Sequence, residues 1–253
     1  MLESYIRRQL QQKDILLMTH IVIGYPSLEA SLSIVDAMVS AGVVLRDRQI
    51  PFSEPIADGP VILKANQDAL ANGVTVKECL AFARETAQRY DIPFLLMTYY
   101  NILYKYGVVQ FAQTMKAYKI RGAIVPDLPP EEGEEYLNAM ASHDLAPIFI
   151  YAPTTTAQRM DRIARHAKGF VYCVARKGVT GDHTVFSREL DTYLDRCRRA
   201  TDLPLALGFG VKDRSDVAFL RGKADIAVIG TQTIRIVEEK GIAAVGDFIH
   251  GLR

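Results

Sequence analysis

Eight short apolar runs, each followed by a stretch of helical periodicity, predict an α/β fold: a single (β/α)8 TIM barrel with an extra N-terminal helix. Two further observations agree. The chain has 253 residues, a usual size for such a barrel, with no Pro/Gly/Ser-rich linker to divide it. The last two apolar runs end in Gly208 and Gly230, where barrels often bind phosphate. All of 1–253 is then one domain: a leading helix and eight strand–helix units.

The segment 1–14 has no apolar core or cleavage motif and reads as a short amphipathic helix rather than a signal peptide. The apolar runs occupy 16–23, 43–50, 93–99, 123–126, 146–151, 169–174, 204–208 and 226–229. Most are rich in Val, Ile, Leu or Phe, as expected of parallel strands covered on both faces. Ser27, Thr75 and Thr156 are placed to cap the helices that follow. A doubly wound open sheet would show fewer strands and a G-x-G-x-x-G turn after the first. Here the first run leads instead into Gly24, Tyr25, Pro26 and Ser27.

Composition excludes several classes. With 49% hydrophobic and 23% charged residues the chain is not disordered, and a net charge of +1 argues against a nucleic-acid binder. No apolar run is long enough to span a membrane. Cys79, Cys173 and Cys197 suggest neither a disulfide framework nor a zinc site, so the cytoplasm is the expected compartment. No His/Cys/Asp grouping has metal-ligand spacing, and no metal is expected.

Chemistry is expected at the carboxyl ends of the strands. After the second run comes PFSEPIADGP, where Pro51, Pro55, Gly59 and Pro60 interrupt regular structure around Ser53, Glu54 and Asp58. Asp47 lies inside the second strand, where a carboxylate is costly unless paired or protonated. Singly, Asp58 reads as a turn former and Asp47 as structural; together above one barrel they suit acid/base work. Gly208 and Gly210 end the seventh strand, and Gly230 and Thr231 end the eighth before a helix, which suits an anion. A third Gly/Thr turn, with Gly178, Thr180 and Gly181, follows the sixth strand. Tyr99, Tyr172 and Phe209 are placed to wall a flat ring, although aromatic packing is the commoner reading. His20 reads as a wall residue of the barrel mouth.

At PFSEPIADGP the chain resembles the tryptophan synthase alpha subunit family. IVIGYP, NILYKYG, IVPDLPPEE, APIFIYAPTT, RKGVTG, GFGV and IGT follow the family's order and approximate spacing along nearly the whole chain. The resemblance implies a carbon–carbon lyase that cleaves indole-3-glycerol phosphate to indole and glyceraldehyde 3-phosphate. It implies that Asp58 meets the indole N–H and that Asp47 stands where the family has its other catalytic carboxylate, usually glutamate, with Tyr172 packed nearby. Phosphate would be held at Gly210, Gly230 and Thr231, with contributions near Thr180 and Gly181. The resemblance further implies docking onto a beta subunit in an alpha2beta2 complex, through residues such as Glu54, Asn101, Asp127 and Pro129. Pyridoxal phosphate would belong to that partner, with no cofactor in this chain. The absence of tryptophan fits an enzyme that helps make it.

Strand two departs from the family. It reads Leu45, Arg46, Asp47, Arg48, Gln49, where the family has an apolar strand with one glutamate. If Asp47 points inward with Leu45 and Gln49, the arginines face the helices and need carboxylate partners or a route to water. A one-residue slip would reverse all of them. Aspartate also loses about 1.5 Å of reach, and misplacement of about 1 Å can cost about 100-fold in rate. Weak or absent lyase activity is therefore expected. The alternative is a subunit that binds phosphate ligand and activates the beta subunit without effective chemistry. Another phosphate-binding barrel would share the glycine loops but not PFSEPIADGP.

Overall fold

The computed structural model describes residues 1–175, 188–208 and 210–253. Helix α1 (Leu2–Leu10) leads into β1 (Leu16–Val22), α2 (Leu28–Ser40) and β2 (Leu45–Gln49). Two helices follow β2: α3 (Pro60–Ala71) and α4 (Val76–Arg89). Then come β3 (Phe94–Met97), α5 (Tyr100–Tyr106), α6 (Val108–Ala117), β4 (Gly122–Ile124), a 3-10 turn (Pro130–Glu132) and α7 (Glu134–Ser142). The remainder is β5 (Ala146–Ile148), β6 (Ile150–Tyr151), α8 (Ala157–Ala164), β7 (Val171–Val174), α9 (Arg188–Ala200), β8 (Leu205–Gly208), α10 (Arg214–Leu220), β9 (Ile226–Ile229), α11 (Thr231–Lys240) and α12 (Ala244–Gly251).

The strands form one sheet in the order β5-β4-β3-β2-β1-β9-β8-β7-β6, and every pairing is parallel. Its two ends, β5 and β6, are separated in the chain only by Phe149, so the staves make a nearly closed barrel. The fifth predicted strand, 146–151, is thus broken in two. The second is shorter than predicted, since 43 and 44 precede its first paired residue.

The buried side chains fall into two large layers. Leu16, Met18, Leu45, Leu95, Ile124, Ile148, Ala206, Ile226 and Val228 fill the barrel, and Leu2 and Ile6 of α1 join them. Leu2 also lies against Gly169, just before β7, which places the extra helix at the amino-terminal end of the barrel. Leu17, Ile21, Phe94, Leu96, Leu205 and Leu207 face the helices instead. Alternation along each strand sorts the side chains between layers.

Local signals behave as their chemistry requires. The side chains of Ser27, Thr75 and Thr156 accept hydrogen bonds from backbone N–H groups three residues on, capping α2, α4 and α8. The insertion after β2 is half loop and half helix, because Pro60 begins α3, where its missing N–H has no intrahelical partner to lose. Among the described residues no helix is long and apolar enough to cross a membrane.

Candidate active site

Strand register sets which side chains meet. His20 on β1 pairs with Asp47 on β2, and Asp47 with Leu95 on β3. Leu45 and Leu95 fill the barrel, so the period of two sends Asp47 and Gln49 inward and Arg46 and Arg48 outward. Of the two registers that strand two allows, the structure adopts this one.

Asp47 is 1% exposed, and its Oδ2 accepts a hydrogen bond from Nδ1 of buried His20 at 2.8 Å. Among the described residues its Oδ1 is buried with no partner. Gln49 donates from Nε2 to Asp58 Oδ2 at 2.6 Å and more weakly to Asn66 Oδ1 at 3.4 Å. Tyr99 donates to the same Asp58 oxygen at 3.0 Å and accepts from the Ala57 N–H at 3.2 Å. Phe52 stacks on Tyr99 at 5.0 Å, and its N–H donates to Asn66 Oδ1. The loop that carries Asp58 is therefore tied to β2, β3 and α3 at once.

The electrostatics follow from burial and charge. Burial raises the pKa of Asp58, and the charge of Asp47 adds to this, although His20, Gln49 and Tyr99 pull the other way. Burial opposes the His20 cation, but the hydrogen bond and charge of Asp47, with help from Asp58 and Gln49, outweigh it and raise its pKa above 6.5. Tyr172 on β7 is held neutral first by burial and then by the charges of Asp47 and Asp58. Its ring fills the space beside Gly208, where an added Cβ would lie 1.9 Å from the phenolic oxygen.

On the other side of β1 from Asp47, Gly230 caps α11 and Thr231 is its first residue, with no side chain bonded to the cap. The neighbouring α10 differs, because the Asp213 carboxylate accepts from the N–H groups of Ser215 and Asp216. Of these two helix starts, that of α11 is not filled by a side chain of its own cap. Gly210, at the end of β8, has φ +119, which a side chain would resist. Thr180, Gly181 and Phe209 lie outside the described residues. Among the described residues no group of three His, Cys, Asp or Glu could hold a metal ion.

Glu54, Asn101 and Pro129 are exposed in the segments after β2, β3 and β4, on the same end of the barrel. Asp127 has a structural task as well: its carboxylate oxygens accept from the Tyr100 N–H at 2.9 and 3.1 Å, capping α5. Among the described residues neither arginine of β2 makes a salt bridge, and both are buried. Arg46 donates from Nη1 to the Val35 carbonyl at 2.5 Å, under α2. Arg48 donates to Thr86 Oγ1 and the Ala83 carbonyl under α4, with its guanidinium 4.0 Å over the Phe94 ring. The Nε and Nη2 groups of both are buried without partners among the described residues. Burial lowers the pKa of Arg46 to about 9, and burial then the charge of Arg46 lower that of Arg48.

Three residues matter that the sequence reading did not assign to the chemistry: His20, Gln49 and Asn66. For His20 and Gln49 the signal was available, since both share the inward parity of their strands. For Asn66 there was none, because nothing in a surface-helix pattern marks a side chain that turns into a loop.

Residues 6–246 match the sequence model of the tryptophan synthase alpha chain family. The chain belongs to that family. It is 66% identical over 253 residues to the tryptophan synthase alpha chain of Syntrophotalea carbinolica, covering 100% of both chains. It is 62% identical over 252 residues to that of Desulforapulum autotrophicum, again covering 100% of both. The fold superposes on Mycobacterium tuberculosis tryptophan synthase with a TM-score of 0.92 at 30% identity, covering 99% of this chain and 96% of that one. Membership of this family excludes the unrelated phosphate-binding barrel.

Proposed function

We propose that this alpha chain cleaves indole-3-glycerol phosphate to indole and glyceraldehyde 3-phosphate, and does so slowly. The observation that carries the reading is the pair of buried carboxylates, Asp47 and Asp58, at the mouth of one barrel. A retro-aldol cleavage needs a proton placed on the indole ring carbon, a proton taken from the glycerol hydroxyl, and a partner for the ring N–H. Asp58, whose hydrogen bonds from Gln49 and Tyr99 fix its orientation, serves the ring nitrogen. Asp47 serves the carbon and the hydroxyl, with Tyr172 beside it. Phosphate rests on the uncapped start of α11 at Gly230 and Thr231, with Gly210 and the segment of Thr180 and Gly181; Tyr99 and Phe209 flank the ring.

Partner and cofactor follow the same reading. Glu54, Asn101, Asp127 and Pro129 share the mouth with exposed Ile56 and Tyr104, a mixed polar and apolar face suited to a beta subunit in an alpha2beta2 complex. Pyridoxal phosphate is assigned to that partner. The cytoplasm is the assigned compartment.

The reduced rate comes from the shortened carboxylate, which costs about 100-fold if the oxygen is displaced by about 1 Å. Steady-state indole release with a beta subunit present tests this. Slow release, abolished by Asp58→Asn and raised by Asp47→Glu with Arg46→Leu and Arg48→Ile, is expected. Turnover already as fast as that of the revertant would overturn the impairment. Stimulation of the beta subunit without indole release from either protein would instead favour the activating subunit.

A further inference from the structure

We propose, resting on the lyase reading above, that His20 is the positioning residue of Asp47, and that the two side chains together hold the proton exchanged with the substrate. Geometry carries this. His20 and Asp47 are register partners on adjacent strands, both buried, at 7% and 1% exposure, and joined at 2.8 Å. The bond uses one carboxylate oxygen and leaves Oδ1 buried and, among the described residues, unpartnered, ready for a substrate hydroxyl. The ring also borders the phosphate end: a Cβ on Gly230 would lie 3.5 Å from His20 Cβ and Cδ2. His20 therefore spans the acid/base group and the anion site, and fixes a carboxylate that is too short to fix itself by reach.

The proton balance closes. The resting pair carries one proton more than neutral imidazole plus carboxylate. It gives that proton to the indole ring carbon while Asp58 takes the ring N–H proton. The pair then accepts the glycerol hydroxyl proton as the carbon–carbon bond breaks and the aldehyde carbonyl forms. The electrons of the broken bond return to the ring, and the nitrogen recovers its proton from Asp58. No other reactant is needed.

The groups around His20 support a charged resting pair. Asp47 faces it from β2 and Asp58 from the following loop, and the Gln49 amide adds to both. Tyr172 on β7 is held neutral, Gly230 after β9 brings no charge, and Arg46 and Arg48 point away from the barrel.

Two measurements on the full chain test the proposal. The first is an NMR titration of the His20 ring in the parent and in Asp47→Asn. A value above 6.5 in the parent that falls by at least about one unit in the variant is expected. Titration at or below 6.5 in the parent overturns the proposal. The second is the pH profile of indole release with a beta subunit present. The parent should lose kcat as pH rises through the pair's titration. His20→Gln should lower kcat about 10- to 100-fold near neutrality with KM little changed. It should also move the alkaline limb at least about one unit toward acid, because Asp47 alone then holds the proton. An equal fall at every pH, with the limb unmoved, overturns the proposal. If His20→Gln fails to fold, His20→Asn carries the same test. A parent that releases no indole at any pH overturns the lyase reading and the proton-exchange role with it. In that event an NMR value above 6.5 still upholds His20 as the partner that orients Asp47.

Discussion

Gln49 Nε2 donates to Asp58 Oδ2 at 2.6 Å, and the two residues are the end of a strand and the tip of the loop that follows it. The bond aims Asp58 from the barrel wall, so the loop carboxylate has one resting orientation. It also lowers the cost of charging a buried acid. Gln49→Leu should therefore lower kcat/KM for indole-3-glycerol phosphate about tenfold, in line with a hydrogen bond to a charged group. The acid limb of the pH profile should move upward, because Asp58 loses a group that favours its ionised form. A pH-rate series on the variant and parent checks both effects.

The buried guanidiniums should destabilise the chain. Replacing a buried charged group with an apolar one of similar volume often stabilises a fold by about 1–4 kcal/mol. Arg46→Leu with Arg48→Ile should raise Tm by several degrees, at roughly 2–4 °C per kcal/mol for a chain of this size. The gain should shrink at high pH. Burial brings the folded Arg46 pKa down to about 9, well below that of an arginine in the unfolded chain. Its penalty is therefore full below about 9 and fades as pH rises above 9, where only the unfolded chain holds the proton. Thermal melts of parent and variant at pH 7.5 and pH 10 measure the difference.

Thr86 should matter only while Arg48 is present. Its hydroxyl accepts from Arg48 and donates to the Phe82 carbonyl. Thr86→Ala removes an acceptor from a charged group and should cost about 1.5–3 kcal/mol in the parent. In an Arg48→Ile background the same change should cost less than about 1 kcal/mol. A double-mutant cycle by urea denaturation reads the coupling.

Gly208 and Tyr172 should be coupled in the same way. An added methyl would collide with the phenol, at 1.9 Å from the oxygen and 2.4 Å from Cζ. Gly208→Ala should cost about 1–3 kcal/mol by overpacking. Truncating the ring with Tyr172→Leu should recover part of that loss, so the two changes add to less than their sum in the same denaturation assay.

Asp127→Ala should destabilise the isolated chain. Its carboxylate caps α5 through the Tyr100 N–H, and losing such a cap costs about 1 kcal/mol. An unchanged melting curve without a partner would reduce Asp127 to an interface role.

Much of the fold was legible along the chain. Alternating apolar runs and helical periods specify barrel strands because each strand is covered on both faces, and Ser27, Thr75 and Thr156 marked helix starts through local hydrogen bonds. The interruption at Phe149 was hidden, since an unbroken apolar run does not reveal where a stave bends. In the site, Asp47 and Asp58 were visible as carboxylates in unusual places, and Gly208 and Gly230 as the turns that end the last two strand runs.

Which way strand two faces could not be read from its own residues. Arg46, Asp47 and Arg48 would be awkward in either register. The neighbours decide: pairing to β1 and β3 puts Leu45 with the residues that fill the barrel and sends both arginines outward. The same pairing brings His20 to Asp47 across 27 positions of sequence. Composition and periodicity act on residues close in the chain, and so they determine strands, helices and caps. A hydrogen bond between two buried side chains depends on which strands become neighbours and in what register, and that exists only once the barrel has closed.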